Sequence, residues 1–228
     1  IRKAYLNGTK IALIGSKVDL TYEYDHLGKE LGILKEILSG KHKICKELVG
    51  AKNPMLILGN QVISLEDGAD IITLCKLIAE KYKMLKEDWN GFNILHEAAA
   101  RVGGLDIGFI PGKGGFDVNQ ILENADKGKV KFVYLLGADE IDTSKLQNTF
   151  VVYQGHHGDN GAHAADVILP GSAYTEKDAT YVNLEGRVQR SYRAVYAPGE
   201  AKLDWQIIVD LANALDKSLE YTDLKGIR

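Results

Sequence analysis

Strands alternating with helices, in an order that makes most strand neighbours parallel, are what this sequence predicts: an α/β protein with mostly parallel sheets. Three observations carry the prediction. Short apolar runs at 11–14, 55–58, 130–136, 150–153 and 167–169 are continuous rather than alternating, and several are rich in Val or Ile. That is the pattern of strands buried on both faces beneath helices. Each run ends at a chain breaker, namely Gly15, Gly59-Asn60, Gly137, Gly155 and Pro170-Gly171. Helical periodicity fills the intervals, and parallel neighbours require such crossovers.

Taken in order, Leu27, Leu31, Leu34 and Leu38 share one helical face, closed by Ser39-Gly40. Ile44, Cys45, Leu48 and Val49 form a second set that stops at Gly50. Ser64 and Asp67 are spaced to cap a helix whose face holds Ala69, Ile72, Cys75, Ala79 and Tyr82. A further helix is expected over 94–102, stopped by Gly103-Gly104, and a last one after Pro198-Gly199 with Trp205, Ile208, Val209, Ala212 and Leu215 on one side. Residues 86–91 and 103–115 read as loops, the second with six glycines. The boundary between two α/β lobes, 1–103 and 104–228, is expected there. Over 172–197 the pattern changes to a small β excursion. Tyr181-Val182-Asn183 and Arg187-Val188-Gln189 flank Leu184-Glu185-Gly186 as the arms of a hairpin, with glycine free to take positive φ.

Composition narrows the function. The 228 residues are 45% hydrophobic and 26% charged, with a net charge of -3, enough chain for a sizeable core. Without a basic stripe, nucleic acid is excluded as the expected partner. No apolar run approaches the roughly 20 residues of a membrane span, so no direct membrane insertion is expected. Cys45 and Cys75 lie apart in helical patterns and read as buried free thiols. An iron–sulfur cluster held by cysteine alone takes about four thiolates, so no cluster ligands are expected in this segment. The chain opens on Ile1-Arg2-Lys3-Ala4, which is no signal peptide, and that start reads as a cut or processing site.

In parallel sheets, ligands sit beyond the carboxyl ends of the strands. The loops to watch are therefore Gly15-Ser16, Gly59-Asn60, Gly137-Ala138-Asp139-Glu140 and the stretch from Gln154 through Gly155, His156, His157, Gly158 and Asp159 to His163. His156, His157, Asp159 and His163 supply donor atoms for zinc or iron, but adjacent histidines rarely face one metal. The glycine-rich loop around Pro111-Gly112-Lys113 fails as a phosphate loop, because Ile107 stands where the first glycine is needed and Gly114 where Ser or Thr is needed. Glu176, Asp178 and Glu185 form no recognisable catalytic pair, and Ser172 and Ser191 lack the Gly-x-Ser-x-Gly context of a hydrolase.

The most specific run extends from Ala165 to Gln189. Ala165, Asp166, Val167, Leu169, Pro170, Glu176, Thr180, Asn183, Glu185, Gly186 and Arg187 resemble the signature of the molybdopterin oxidoreductases. The stretches 10–27, 135–139 and 153–161 are similar, within that superfamily, to the large iron–sulfur subunits of respiratory complex I, and Tyr153-Gln154-Gly155-His156-His157-Gly158-Asp159 resembles the mitochondrial form. The resemblance covers about 1–214.

What it implies is the Rossmann-like α/β fold of that superfamily, in a subunit of proton-pumping NADH:ubiquinone oxidoreductase. The subunit would sit in the peripheral arm among other peripheral-arm subunits, on the matrix side of the mitochondrial inner membrane or the cytoplasmic face of a bacterial one. Iron–sulfur clusters would belong to an N-terminal part of a longer subunit or to a separate chain. Two departures argue against a pterin. Active members carry Gly-Thr where Ala179-Thr180 stands and Gly-x-Asn-Pro where Gly137-Ala138-Asp139-Glu140 stands, and Asp139 would repel a pyrophosphate-bearing cofactor. No catalytic residue and no cofactor are therefore expected in this segment, with Gly137, Asp139, Gln154, His156, His157 and Asp159 as candidates to line a vestigial pocket. The competing readings are a molybdopterin-binding oxidoreductase domain and a metal-dependent enzyme centred on His156, His157, Asp159 and His163.

Overall fold

A computed structural model describes residues 1–227. The chain divides into two compact units, Ile1–Ala98 and Ala99–Arg228. The first unit runs α1 (Arg2–Leu6), β1 (Ala12–Ile14), β2 (Asp25–Gly28), α2 (Gly32–Ser39), α3 (Cys45–Gly50), β3 (Leu56–Leu58), α4 (Asn60–Ile63), α5 (Gly68–Lys81), β4 (Leu85–Lys86), β5 (Trp89–Asn90) and β6 (Phe92–Ile94). Strands β1 and β2 pair in parallel, as do β3 and β6, while β4 and β5 form a small antiparallel hairpin.

The core of this unit lies where α5 packs on α2. Leu34, Ile37, Ile71, Cys75, Ile78, Ala79 and Met84 are all buried. Tyr82 donates its hydroxyl to the Ile37 carbonyl at 2.8 Å. Gly40, in the left-handed region at φ 83°, ends α2 as the Ser39-Gly40 pair predicts. Four expectations change here. Leu27 belongs to β2 and not to a helix, so α2 starts five residues later at Gly32. No side chain caps α5, and Ser64 instead donates to the Asn60 carbonyl. The buried face of α5 centres on Ile71, Cys75 and Ile78, leaving Ala69 exposed. Residues 86–91 contain the β4–β5 hairpin where a loop was expected.

Burial pushes the Cys75 thiol up to about 11 from its ordinary 9.0. An unfolded chain ionises that thiol above pH 9, whereas the folded one keeps its proton until about pH 11. This contribution to stability is therefore complete below pH 9 and is lost as pH rises through that window, on the order of 2 kcal/mol in all. Urea unfolding of Cys75→Ala between pH 8 and pH 11 should show a shallower alkaline decline than the parent chain.

The second unit runs α6 (Arg101–Asp106), α7 (Val118–Asp126), β7 (Phe132–Leu136), β8 (Phe150–Gly155), α8 (Asn160–His163), β9 (Val167–Pro170), β10 (Ala179–Val182), β11 (Val188–Ser191), α9 (Asp204–Ala214) and α10 (Leu224–Ile227), with single 3-10 turns at Thr143–Leu146 and Tyr174–Glu176. Strands β7, β8 and β9 form a parallel sheet with β8 in the middle. Strands β10 and β11 form the predicted antiparallel excursion, turning at Gly186 with φ 76°. The helix expected over 94–102 is absent. The chain there ends β6 and resumes as α6, which runs through Gly103 and Gly104 and packs against β10, with Gly103 close to Val182. A Cβ at 103 would meet that valine at 3.4 Å, an ordinary van der Waals contact, so the packing has room for alanine and does not explain a residue of poor helix propensity there.

Helix α7 opens on a capping box in which Asp117 accepts from the Gln120 backbone N–H at 2.8 Å and Gln120 accepts from the Asp117 N–H. Asp117→Ala should cost about 1 kcal/mol, read as a lowered thermal midpoint. One sheet face, holding Leu135, Val151 and Tyr153, packs on Leu122, Ala125 and Leu146. The opposite face is not covered along its whole length: Phe132 and Phe150 stack with ring centroids 6.2 Å apart yet are 55% and 50% exposed. Double-sided burial, expected for all the apolar runs, is found only for β8. The other two strands of this sheet each lie at an edge with one neighbour.

Candidate functional site

The carboxyl ends of β8 and β9 open into a crevice of about 660 Å³ whose lining includes Gly155, His156, His157, Gly171, Tyr174, Glu176 and Glu200. Backbone bonds fix its floor. Gly137 donates its N–H to the Gln154 carbonyl and Gly171 donates to the Gly155 carbonyl, both at 2.8 Å, so the ends of all three strands stay in register. The His156 and His157 rings meet edge to face with centroids 4.5 Å apart, and both are exposed.

The other predicted residues lie around this crevice but do not line it. Gln154, 1% exposed, turns to the opposite sheet face, as strand alternation demands. There its carboxamide oxygen accepts from the Tyr134 hydroxyl, and its Nε2 donates to the Asp204 carboxylate at 2.9 Å. Lys177 completes the cluster by donating to the other oxygen of Asp204. Burial, and then the charge of Asp204, pushes the Tyr134 hydroxyl up, which keeps it a donor. Asp139 and Asp159 are half-buried and face Tyr153, whose hydroxyl is pushed up first by burial and then by these two carboxylates. His163 ends α8 and is exposed. Among the described residues no group of three or more His, Cys, Asp and Glu side chains is placed to hold a metal.

Tyr153 occupies the ground beneath the loop. A Cβ on Gly155 would run into its ring, and one on Gly161 would lie 2.6 Å from it. The loop closes over the aromatic side chain because both positions lack a side chain of their own.

Three of the six polar residues of the 165–189 signature serve the backbone with their side chains. Asp166 accepts from the Val151 N–H at 2.8 Å, and Glu176 accepts from the Ala173 N–H at 2.9 Å. Asn183 accepts from the N–H groups of Glu185 and Arg187 and so organises the hairpin. Sequence reasoning missed Tyr134, Lys177, Asp204 and Glu200. Lys177 and Asp204 stand far apart in sequence, and no local motif announces that pair. The crevice lining holds the carboxylates of Glu176 and Glu200 and neither lysine nor arginine. A pyrophosphate-bearing group placed there would meet like charge without a counter-ion, so these residues do not fit a pterin cofactor.

Residues 1–214 match the family model described as molybdopterin oxidoreductase. The chain is similar to the NADH-ubiquinone oxidoreductase 75 kDa subunit of Reclinomonas americana, at 46% identity over 230 residues covering 100% of this chain and 32% of that protein. It is similar also to an NADH-quinone oxidoreductase subunit of Rickettsia bellii (44% identity, 96% of this chain, 30% of that protein) and to its namesake in Rickettsia typhi (41% identity, 100% of this chain, 32% of that protein). The chain thus spans about a third of the length of the curated relatives it matches. With the signature residues, the parallel sheets and a match over most of its length in agreement, the chain belongs to the molybdopterin oxidoreductase family.

Proposed function

We propose that this chain is a non-catalytic structural part of a peripheral-arm subunit of a proton-pumping NADH:quinone oxidoreductase, and that it supports cluster-bearing polypeptide without carrying a cofactor itself. The observation that carries the reading is the combination of a crevice lined by neither lysine nor arginine and signature residues engaged with the backbone. The relatives named above supply the choice of assembly. Its partners in this reading are other subunits of the peripheral arm. Its place is the matrix side of the mitochondrial inner membrane, or the cytoplasmic face in a bacterium. Among the described residues no helix is long and apolar enough to cross a membrane, which accords with attachment through other subunits.

The test is made on the assembled, purified oxidoreductase. Elemental analysis should find no molybdenum or tungsten stoichiometric with this polypeptide. His156→Ala/His157→Ala should leave the NADH:quinone rate within about twofold of the parent, since their crevice hosts no chemistry. Stoichiometric molybdenum, or loss of turnover in an enzyme that still assembles, would refute the proposal.

A further inference from the structure

The exposed arm that follows the hairpin turn has a composition found nowhere else in the chain. Residues 187–196 carry three of the six arginines, two tyrosines and no acid, in a chain whose net charge is -3. Arg187, Arg190 and Arg193 are exposed, and none forms an ion pair among the described residues. Val188 is 64% exposed, Tyr192 77% and Tyr196 80%. The Arg193 guanidinium lies over the Tyr196 ring, 4.1 Å from its centroid. Arginine and tyrosine are the side chains that binding surfaces concentrate, because each offers a large rigid contact with a polar tip.

The backbone here is held ready and is incomplete. β11 pairs only with β10, so its outer edge has no neighbouring strand among the described residues. Beyond it the chain is pinned, with Arg193 donating its N–H to Asp178 at 2.7 Å and Ala194 donating to the Thr175 carbonyl at 2.8 Å. The other strand of the ribbon is packed, since α6 lies against β10. A free edge of this kind accepts a further strand through its unused N–H and C=O groups. Charge on an edge strand commonly serves only to keep like copies apart. Here the same guanidiniums that repel a second copy attract carboxylates, with which arginine forms paired hydrogen bonds.

We propose that the outer edge of β11 is a docking site for an extended acidic segment of a partner protein, which adds as a third strand while its carboxylates meet Arg187, Arg190 and Arg193. This goes beyond the structural role inferred above, because it assigns a surface and a partner chemistry that the crevice does not involve.

The probe is a fluorescent ten-residue peptide of Glu-Glu-Val-Val repeats, which carries carboxylates on both faces of an added strand, tested against the full chain by anisotropy at low and physiological salt. A peptide of the same charge with proline in place of each valine cannot pair as a strand and serves as control. The expected result is binding that weakens with salt, at least tenfold weaker binding to R187Q/R190Q/R193Q and to the proline peptide, and slowed hydrogen exchange at the amides of 188–191. Circular dichroism melting verifies that the triple variant folds, and R190Q alone, with a smaller loss expected, replaces it otherwise. The proposal is overturned by no binding at millimolar peptide, by equal binding of the proline peptide, or by affinity untouched in the arginine variants. Tighter arginine-dependent binding of single-stranded RNA or of anionic phosphatidylserine vesicles than of the acidic peptide would overturn it as well.

Discussion

Asp204→Ala should destabilise the second unit by about 3 kcal/mol. Asp204 begins α9, and its carboxylate receives Gln154 from the central strand of the sheet and Lys177 from the segment before β10. Truncation leaves the Lys177 ammonium without its carboxylate and Gln154 with only its longer bond to the Asp204 main-chain carbonyl, at 3.3 Å. The Lys177 and Asp204 side chains are 26% and 32% exposed, so solvent tempers the loss below that of a fully buried pair. Chemical denaturation separates the polar contribution from mere packing. Lys177→Met/Asp204→Leu removes both charges and should lose less than Asp204→Ala alone, since an apolar pair leaves no charge unpaired. If both variants lose the same amount, the ion pair is not what holds α9 to the sheet.

Gly91→Ala should be among the most damaging single methyls in the first unit. Gly91 follows β5, donates its N–H to the Met84 carbonyl at 2.6 Å and accepts from the Leu56 N–H at 2.7 Å. A Cβ at this position would collide with the Pro54 carbonyl oxygen and lie 2.8 Å from that of Met84. Both obstacles are backbone held by neighbouring strands, so neither can move aside as a flexible side chain would. A cost of about 3 kcal/mol follows from overpacking of this kind, together with broken pairing between β3 and β6. A far-UV melt of the variant should show the first unit losing roughly 15 °C of midpoint. A loss below about 1 kcal/mol would mean that the β4–β5 hairpin is free to swing outward.

The strands were legible because apolar runs ending at breakers survive in any tertiary setting, and β3, β7, β8 and β9 fall where 55–58, 130–136, 150–153 and 167–169 predict them. Strand β2 was not legible, since Asp25-His26-Leu27-Gly28 has no run at all and pairs only because β1 offers it an edge. Helix α6 was hidden by two glycines that ordinarily stop a helix but here lie inside one, with only Gly103 beside β10. Helix α7 did carry a local signal, the Asp117-x-x-Gln120 box, which the glycine-rich loop before it masked. At the site, residue type drew attention to the carboxyl end of the sheet, where His156 and His157 line the crevice. It did not reveal that Gln154 faces away, because the fold alone decides which side of a strand is occupied by α9.

The Tyr153 ring beneath Gly155 and Gly161 has an evolutionary consequence. A loop at the mouth of a sheet is ordinarily where a lineage tries new chemistry, one substitution at a time. Here any side chain at either glycine collides with the ring below, and shrinking the ring first would open a void in the core of the unit. Descendants of this chain can place a side chain at either position only by changing floor and loop together, a double step that makes the present bare loop the easier inheritance.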